Sequence, residues 1–404
     1  MSNVSCCRSC GSGELSRILN IGETPLANAL LAESDLNKEE KKYPLVLLWC
    51  PACTLLQISE NVPGDILFSH YVYQSSFSDA FLSHCKTLSS QITREQKLND
   101  ASLVIDIASN DGYLLQFYKE QNIPVLGIEP ATNIAAIATK KGIETKNVFF
   151  TEAVAKTLPK ADVVHAHNVL PHVGNQRDFV RGIKQLLKPD GVAVIEFAYA
   201  VDTIEHVEFD QIYHEHMCYF SLTAFDALVK AADLSVVRVE KVVVHGGSLR
   251  VFLKHTSAPI DASVTMMLKQ EEEWGVGSID TYQSFATKTH ALRTSLVDLL
   301  QKLKLKGKRI AAYGASAKGC TLMHFCGIGK DVIDYVVDRS TTKQGLYTPG
   351  THLKIEPVEK LVEDRPDYVL LLTWNFAEEI LKQQKEYREQ GGAFIVPVPS
   401  PKIV

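Results

Sequence analysis

Nine consecutive residues, Ile212 to Phe220 ("IYHEHMCYF"), hold two histidines, a glutamate and two tyrosines. Histidine titrates near neutrality and an adjacent carboxylate can orient it or raise its pKa, so the stretch could move protons. If extended, it would put Tyr213, Glu215 and Met217 on one face and His214 and His216 on the other. In a turn or helix start, Tyr213 and His216 would meet instead at i, i+3. A zinc site needs a third ligand, and no H-E-x-x-H is present, so metal binding fits poorly. The plain alternative is a structural histidine pair at a helix entrance.

A second group is built from sulfur. Cys7-x-x-Cys10 and Cys50-x-x-Cys53 flank a segment with too few apolar residues to fold alone, and four thiolates with no open position describe a structural zinc site. Cys6 is a spare thiol that could compete with Cys7. Buried free cysteines are the bland reading, and a redox pair would leave the second knuckle unexplained. Further on, "HYVYQSSFSDAF" (70–81) places Tyr71 and Tyr73 on one face if extended, where packing is their simplest role.

Two glycine turns come next. "LVIDIASNDGYLLQFY" (103–118) reads as a buried strand carrying Asp106, a turn with Asn110, Asp111 and Gly112, and a helix. "VLGIEP" then ends a second strand on Glu129, whose carboxylate could accept both hydroxyls of a ribose. The turn lacks G-x-G-x-x-G, so no tight pyrophosphate cradle is implied, which favours S-adenosylmethionine (SAM) over NAD. Asn168 and His172 fall just beyond the strand of "ADVVHAHNVLPHV", at the edge where such sheets bind ligands. "GKRIAAYGASAKGCTL" (307–322) repeats the theme with Gly314, Lys318 and Gly319 at a helix entrance, a better anion cradle, and Asp338 ends the strand that follows. "VVVHGGSLRVFL" adds Arg250, suited to an anion or a neighbouring acid.

The elements that must position these residues are βα units. They predict an α/β protein with an N-terminal zinc-binding module (1–70), a Rossmann-like domain on a doubly wound parallel sheet (71–270), a linker helix (271–306) and a second Rossmann-like domain (307–404). Leu292, Leu296, Leu299, Leu300 and Leu303 recur at helical spacing in that linker and suit a core face. At 404 residues and 46% hydrophobic the chain can bury several cores, and a net charge of −5 offers no footprint for nucleic acid. No apolar run reaches the ~20 residues of a membrane span. The N-terminus lacks an apolar signal region, and nine cysteines suit a reducing cytoplasm, where the protein is expected.

The ordered set of motifs resembles the SAM-dependent C-methyltransferases that act on nucleotide-linked 4-keto-deoxysugars. The likeness runs through the two knuckles around "LNIGETPLANALL", then "YVYQSSFS", "IDIASNDGYLL", "NVLPHV", "YHEHMCYFS", "HGGSLRVF", "YGASAKGCTL", "VVDRSTTKQGLYTPGTHLKI" and "TWNF". It implies transfer of a methyl group to C-3 through an enolate, with His216 as base. Tyr213, His172 and Tyr71 or Tyr73 would lie around the keto oxygen, and Glu215 would orient the group. Asp106, Asn110, Asp111, Gly112, Glu129 and Asn168 would surround SAM. Gly314, Lys318, Asp338 and Arg250 would serve the nucleotide-diphosphate sugar, and zinc would be structural. Cys320 departs from the pattern, which has a polar amide there. His214 is read as structural, and a monomer is expected, with an oligomer left open. Sugar O-methylation and a non-catalytic SAM-binding zinc protein are the competing readings.

Overall fold

A computed structural model describes residues 4–64, 67, 75–77, 79–242, 247–256 and 258–404. Tyr71 and Tyr73 lie outside the described residues. The chain opens with the antiparallel strands β1 (Ser16–Thr24), β2 (Tyr43–Trp49) and β3 (Leu56–Ile58). Their inward residues, among them Leu19, Leu45, Leu47 and Ile58, are almost wholly buried. The four knuckle cysteines lie at one end of this sheet.

The central sheet is built from β4 (Val104–Ile107), β5 (Val125–Ile128), β6 (Thr145–Lys146), β7 (Ala161–His167) and β8 (Leu187–Ala198). These five pair in parallel in the order β8-β7-β4-β5-β6. Helices cover both faces, so β4 reads as an unbroken buried run. One of them, Gln176–Leu186, buries Phe179, Val180, Ile183 and Leu186 at helical spacing.

After β8 the chain makes β9 (Cys218–Tyr219), then β10 (Leu234–Val242) and β11 (Ser248–His255). The last two extend the sheet beyond β8 as antiparallel strands, so the parallel sheet expected from the βα units has an antiparallel edge. β9 leaves this sheet altogether and pairs with β3, so the N-terminal sheet is completed by a strand from more than 150 positions away.

A helix of 27 residues, Ile279–Leu305, buries Leu292, Leu296, Leu300 and Leu303 and leads into the last sheet. Its parallel strands are β12 (Ile310–Tyr313), β13 (Val336–Val337), β14 (Ile355–Glu356), β15 (Tyr368–Leu371) and β16 (Ala393–Val396), in the order β14-β13-β12-β15-β16. The antiparallel β17 (Lys402–Ile403) closes the edge. No described helix is long and apolar enough to cross a membrane.

Candidate active site

Residues 213–216 form a turn, and only Cys218–Tyr219 of the stretch 212–220 is strand. The His216 amide donates to the Tyr213 carbonyl at 2.9 Å, which brings the two side chains together at i, i+3. Tyr213 and His216 are half-buried, whereas His214 and Glu215 are buried, so the turn sorts its side chains into two sets. His214 points away, bonded to the Pro44 carbonyl at 3.2 Å and edge-on to Tyr43, where it fastens the turn to β2.

The proton on His216 is fixed by its backbone partner. Nδ1 lies 2.9 Å from the Gln211 carbonyl, which can only accept, so Nδ1 carries the hydrogen and Nε2 keeps its lone pair in the neutral ring. The Tyr213 hydroxyl donates to Nε2 at 2.7 Å. His172 packs its ring 4.9 Å from that of His216 and donates from Nδ1 to the Glu215 carbonyl at 2.7 Å. Desolvation by the packing around this ring lowers its pKa to about 4, so His172 is neutral near pH 7. With its hydrogen on Nδ1, it cannot donate to a keto oxygen, and the role expected for it changes to that of an acceptor at Nε2.

Glu215 accepts from Asn28 Nδ2 at 3.1 Å through Oε1, while its buried Oε2 has no partner among the described residues. Burial raises its pKa, against the opposing hydrogen bond from Asn28. Asn28 reaches this site from the N-terminal module, in a "PLAN" segment that carried no recognised chemistry in the sequence.

The first glycine turn lies at the C-terminal edge of β4. Ala108, Asn110 and Gly112 all have positive φ (57°, 48° and 81°), and a Cβ at Gly112 would come within 2.9 Å of Ile143. Glu129 accepts from the Asn110 and Ala131 amides at 3.0 and 2.8 Å, which ties the turn to the end of β5. Asp111 is spent on Ser76 and on Lys141, the latter at 2.8 Å. Asp106 is fully buried with neither carboxylate oxygen paired among the described residues, and burial drives its pKa well up. Asn168 sits across the edge in a left-handed conformation (φ 52°), its amide donating to the Glu196 carbonyl at 2.7 Å.

Arg250 stands elsewhere than expected. Its guanidinium donates to the buried Glu196 at 2.9 Å, to the half-buried Glu240 at 3.2 Å and to His84 of the helix Asp79–Glu95 at 2.9 Å. Of its two suggested uses, the neighbouring acids take it and no substrate role is left. In the C-terminal sheet, a Cβ at Gly314 would meet Thr373 at 2.5 Å, and one at Gly319 would meet Leu372 at 2.6 Å. Close approach of the segment just after β15 therefore accounts for both glycines, and Gly314 also has a positive φ of 96°. Asp338 accepts from the Ala315 and Ser340 amides, both at 2.8 Å. Lys318 lies 5.4 Å from the Trp374 ring and faces the buried Glu208 and Asp210.

The Sγ atoms of Cys7, Cys10, Cys50 and Cys53 all lie within 4.8 Å of one another, with Cys7–Cys53 at 3.4 Å and Cys10–Cys50 at 3.6 Å. Tetrahedral zinc with bonds of about 2.3 Å needs sulfurs about 3.8 Å apart, so the set fits the ion. Cys6 is exposed and outside the cluster.

The chain aligns over 404 positions with the C-methyltransferase NovU of Streptomyces niveus at 34% identity, covering 98% of this chain and 96% of that one. This chain belongs to the SAM-dependent C-methyltransferases. Three family descriptions match along it: a zinc binding domain at 7–68, a methyltransferase domain at 81–239 and a C-methyltransferase C-terminal domain at 243–399. Among solved structures, a SAM-dependent methyltransferase from Clostridium acetobutylicum matches with TM-score 0.37 and 11% identity, over 45% of this chain and 93% of that one. The magnesium protoporphyrin IX methyltransferase of Synechocystis, solved with bound SAH, matches with TM-score 0.34 and 13% identity, over 43% of this chain and 81% of that one. Membership in this family and the four-cysteine cluster make the chain a C-methyltransferase that uses SAM and has an N-terminal site for structural zinc.

Proposed function

We propose that this C-methyltransferase acts on C-3 of a nucleotide-linked 4-keto-deoxysugar and makes a branched sugar through an enolate. The observation that carries the reading is the half-buried Tyr213–His216 pair, with Nδ1–H held by the Gln211 carbonyl and the Nε2 lone pair turned to the Tyr213 hydroxyl. A carbon acid next to a ketone needs such a base, together with donors for the oxyanion that forms as the proton leaves.

In this reading the C-3 proton passes to His216 Nε2 and the electron pair of the broken C–H bond delocalises onto the keto oxygen. The Tyr213 hydroxyl turns from Nε2 to that oxygen, and Glu215, held by Asn28, orients the group. His172 accepts a hydrogen bond from a sugar hydroxyl. SAM supplies an electrophilic methyl on sulfur, which the enolate carbon takes, and the S–CH3 bonding pair stays with sulfur. Asn110, Gly112, Glu129, Asp106 and Asn168 are the residues for SAM, and Asp111 braces their turn through Lys141. The nucleotide diphosphate is assigned to the edge formed by the Gly314 turn, Lys318 and Asp338.

Incubation with methyl-13C SAM and a panel of nucleotide 4-keto-6-deoxysugars tests this reading. A carbon-bound 13C-methyl signal on the sugar is expected. An oxygen-bound methyl signal, or none with any sugar nucleotide, would overturn the substrate assignment.

A further inference from the structure

The base is fixed from outside its own loop. The Gln211 carbonyl that holds His216 Nδ1–H also accepts from the Tyr219 hydroxyl at 3.2 Å, and it belongs to the short turn Phe209–Gln211. Two of this turn's three residues are fastened to the C-terminal domain. Phe209 packs on Phe325, with ring centroids 5.0 Å apart. Asp210 accepts a 2.6 Å hydrogen bond from the Trp374 indole N–H. Trp374 follows β15, in the loop whose Thr373 abuts the Gly314 turn. It therefore stands at the carboxyl edge where a sheet of this kind receives its ligand.

Asp210 is a costly residue for mere packing. It is completely buried, and its Oδ1 has no partner among the described residues. Lys318 is the cation it faces. A buried carboxylate with an incomplete set of partners is disfavoured against an apolar side chain of similar size. The turn already has Phe209 as its apolar anchor. What the carboxylate adds is a directional bond to one indole hydrogen, which fixes the turn's rotation and hence the direction of the next residue's carbonyl.

We propose that Asp210 and Trp374 are positioning residues through which the C-terminal domain sets the tautomer of His216. The proposal rests on the reading of His216 as the base. Without the indole donor, the Phe209–Gln211 turn can rotate, the Gln211 carbonyl leaves Nδ1, and the ring can carry its hydrogen on Nε2, where it accepts no proton from carbon.

The test uses the full-length, zinc-loaded protein labelled with 15N-histidine, the His216 resonances being assigned by difference with H216N. Wild type is expected in the Nδ1–H form above its pKa. W374F keeps the ring and removes the donor, so it should shift His216 to a mixture of tautomers. Turnover of the sugar nucleotide should fall roughly 10–100-fold, the range for partners one shell from a reacting group, with KM for SAM unchanged. D210A should behave as W374F does, and D210N, which keeps an acceptor for the indole, should recover most of the loss. An unchanged tautomer and turnover in both W374F and D210A would overturn the bridge while leaving the base assignment intact. A wild-type His216 in the Nε2–H form would overturn both.

Discussion

Among single residues, His172 shows how position decides role. Its Nδ1 is committed to the Glu215 carbonyl and its ring is desolvated, so it folds neutral with a pKa moved from 6.5 to about 4. Such a depressed value contributes stability that is present above pH 6.5 and lost as pH falls towards 4. At about 1.4 kcal/mol per unit, His172 alone should cost about 3 kcal/mol over that window. In urea titrations, H172Q keeps a donor for the carbonyl and should show that much less acid loss than wild type between pH 7 and 4; equal losses would contradict the assignment. The i, i+3 meeting of Tyr213 and His216 was one of the two geometries their spacing allowed. Which nitrogen carries the proton was not legible, because that depends on carbonyls of residues 211 and 215 whose direction only the folded turn sets. For Arg250 the sequence left an anion and a neighbouring acid open, and only the folded sheet shows Glu196 and Glu240 arriving beside it from neighbouring strands.

Among elements, the placement of β9 has the most consequences. Met217 donates its amide to the Pro171 carbonyl at 2.7 Å and accepts from the Ile58 amide at 3.1 Å. One residue thus joins the His216 turn, the His172 loop and the zinc-bearing sheet. Pairing between residues 56–57 and 218–219 leaves no mark in local sequence, since two-residue strands have neither periodicity nor length. The helix that follows, Leu222–Lys230, depends on a buried acid. Glu271 accepts from the Leu222 and Thr223 amides at 2.6 and 2.7 Å and so satisfies two donors that the helix start leaves open. Replacing it by alanine strands both donors, and E271A should lose about 2–4 kcal/mol, seen as a fall in Tm of roughly 5–10 °C by calorimetry. A Tm within a degree of wild type would show that water replaces the carboxylate.

At the scale of the whole molecule, residues from all three sheet-bearing regions are tied to the Phe209–Met217 stretch. The N-terminal module supplies Asn28, the central domain supplies the histidines and Glu215, and the C-terminal domain supplies Trp374 against Asp210. The three α/β and metal-bearing regions were legible from the knuckles and the strand–turn–helix repeats, but their mutual packing was not. It rests on contacts such as Arg8 with the Glu60 and Gly174 carbonyls, which join residues up to 166 positions apart. Zinc belongs to this scale because its sheet carries β9. Chelation should release β3 from β9 and lower turnover at least 10-fold together with Tm, and readdition of zinc should restore both. Full activity after verified metal removal would separate the knot from the site.

The most direct measurement of the central claim is deuterium wash-in at C-3 of a nucleotide 4-keto-6-deoxysugar in D2O, followed by proton NMR for wild type and H216N. Exchange is expected with wild type, and its loss by about 100-fold or more with H216N. Exchange that persists undiminished in H216N, or that never appears with wild type while methyl transfer proceeds, would contradict that claim.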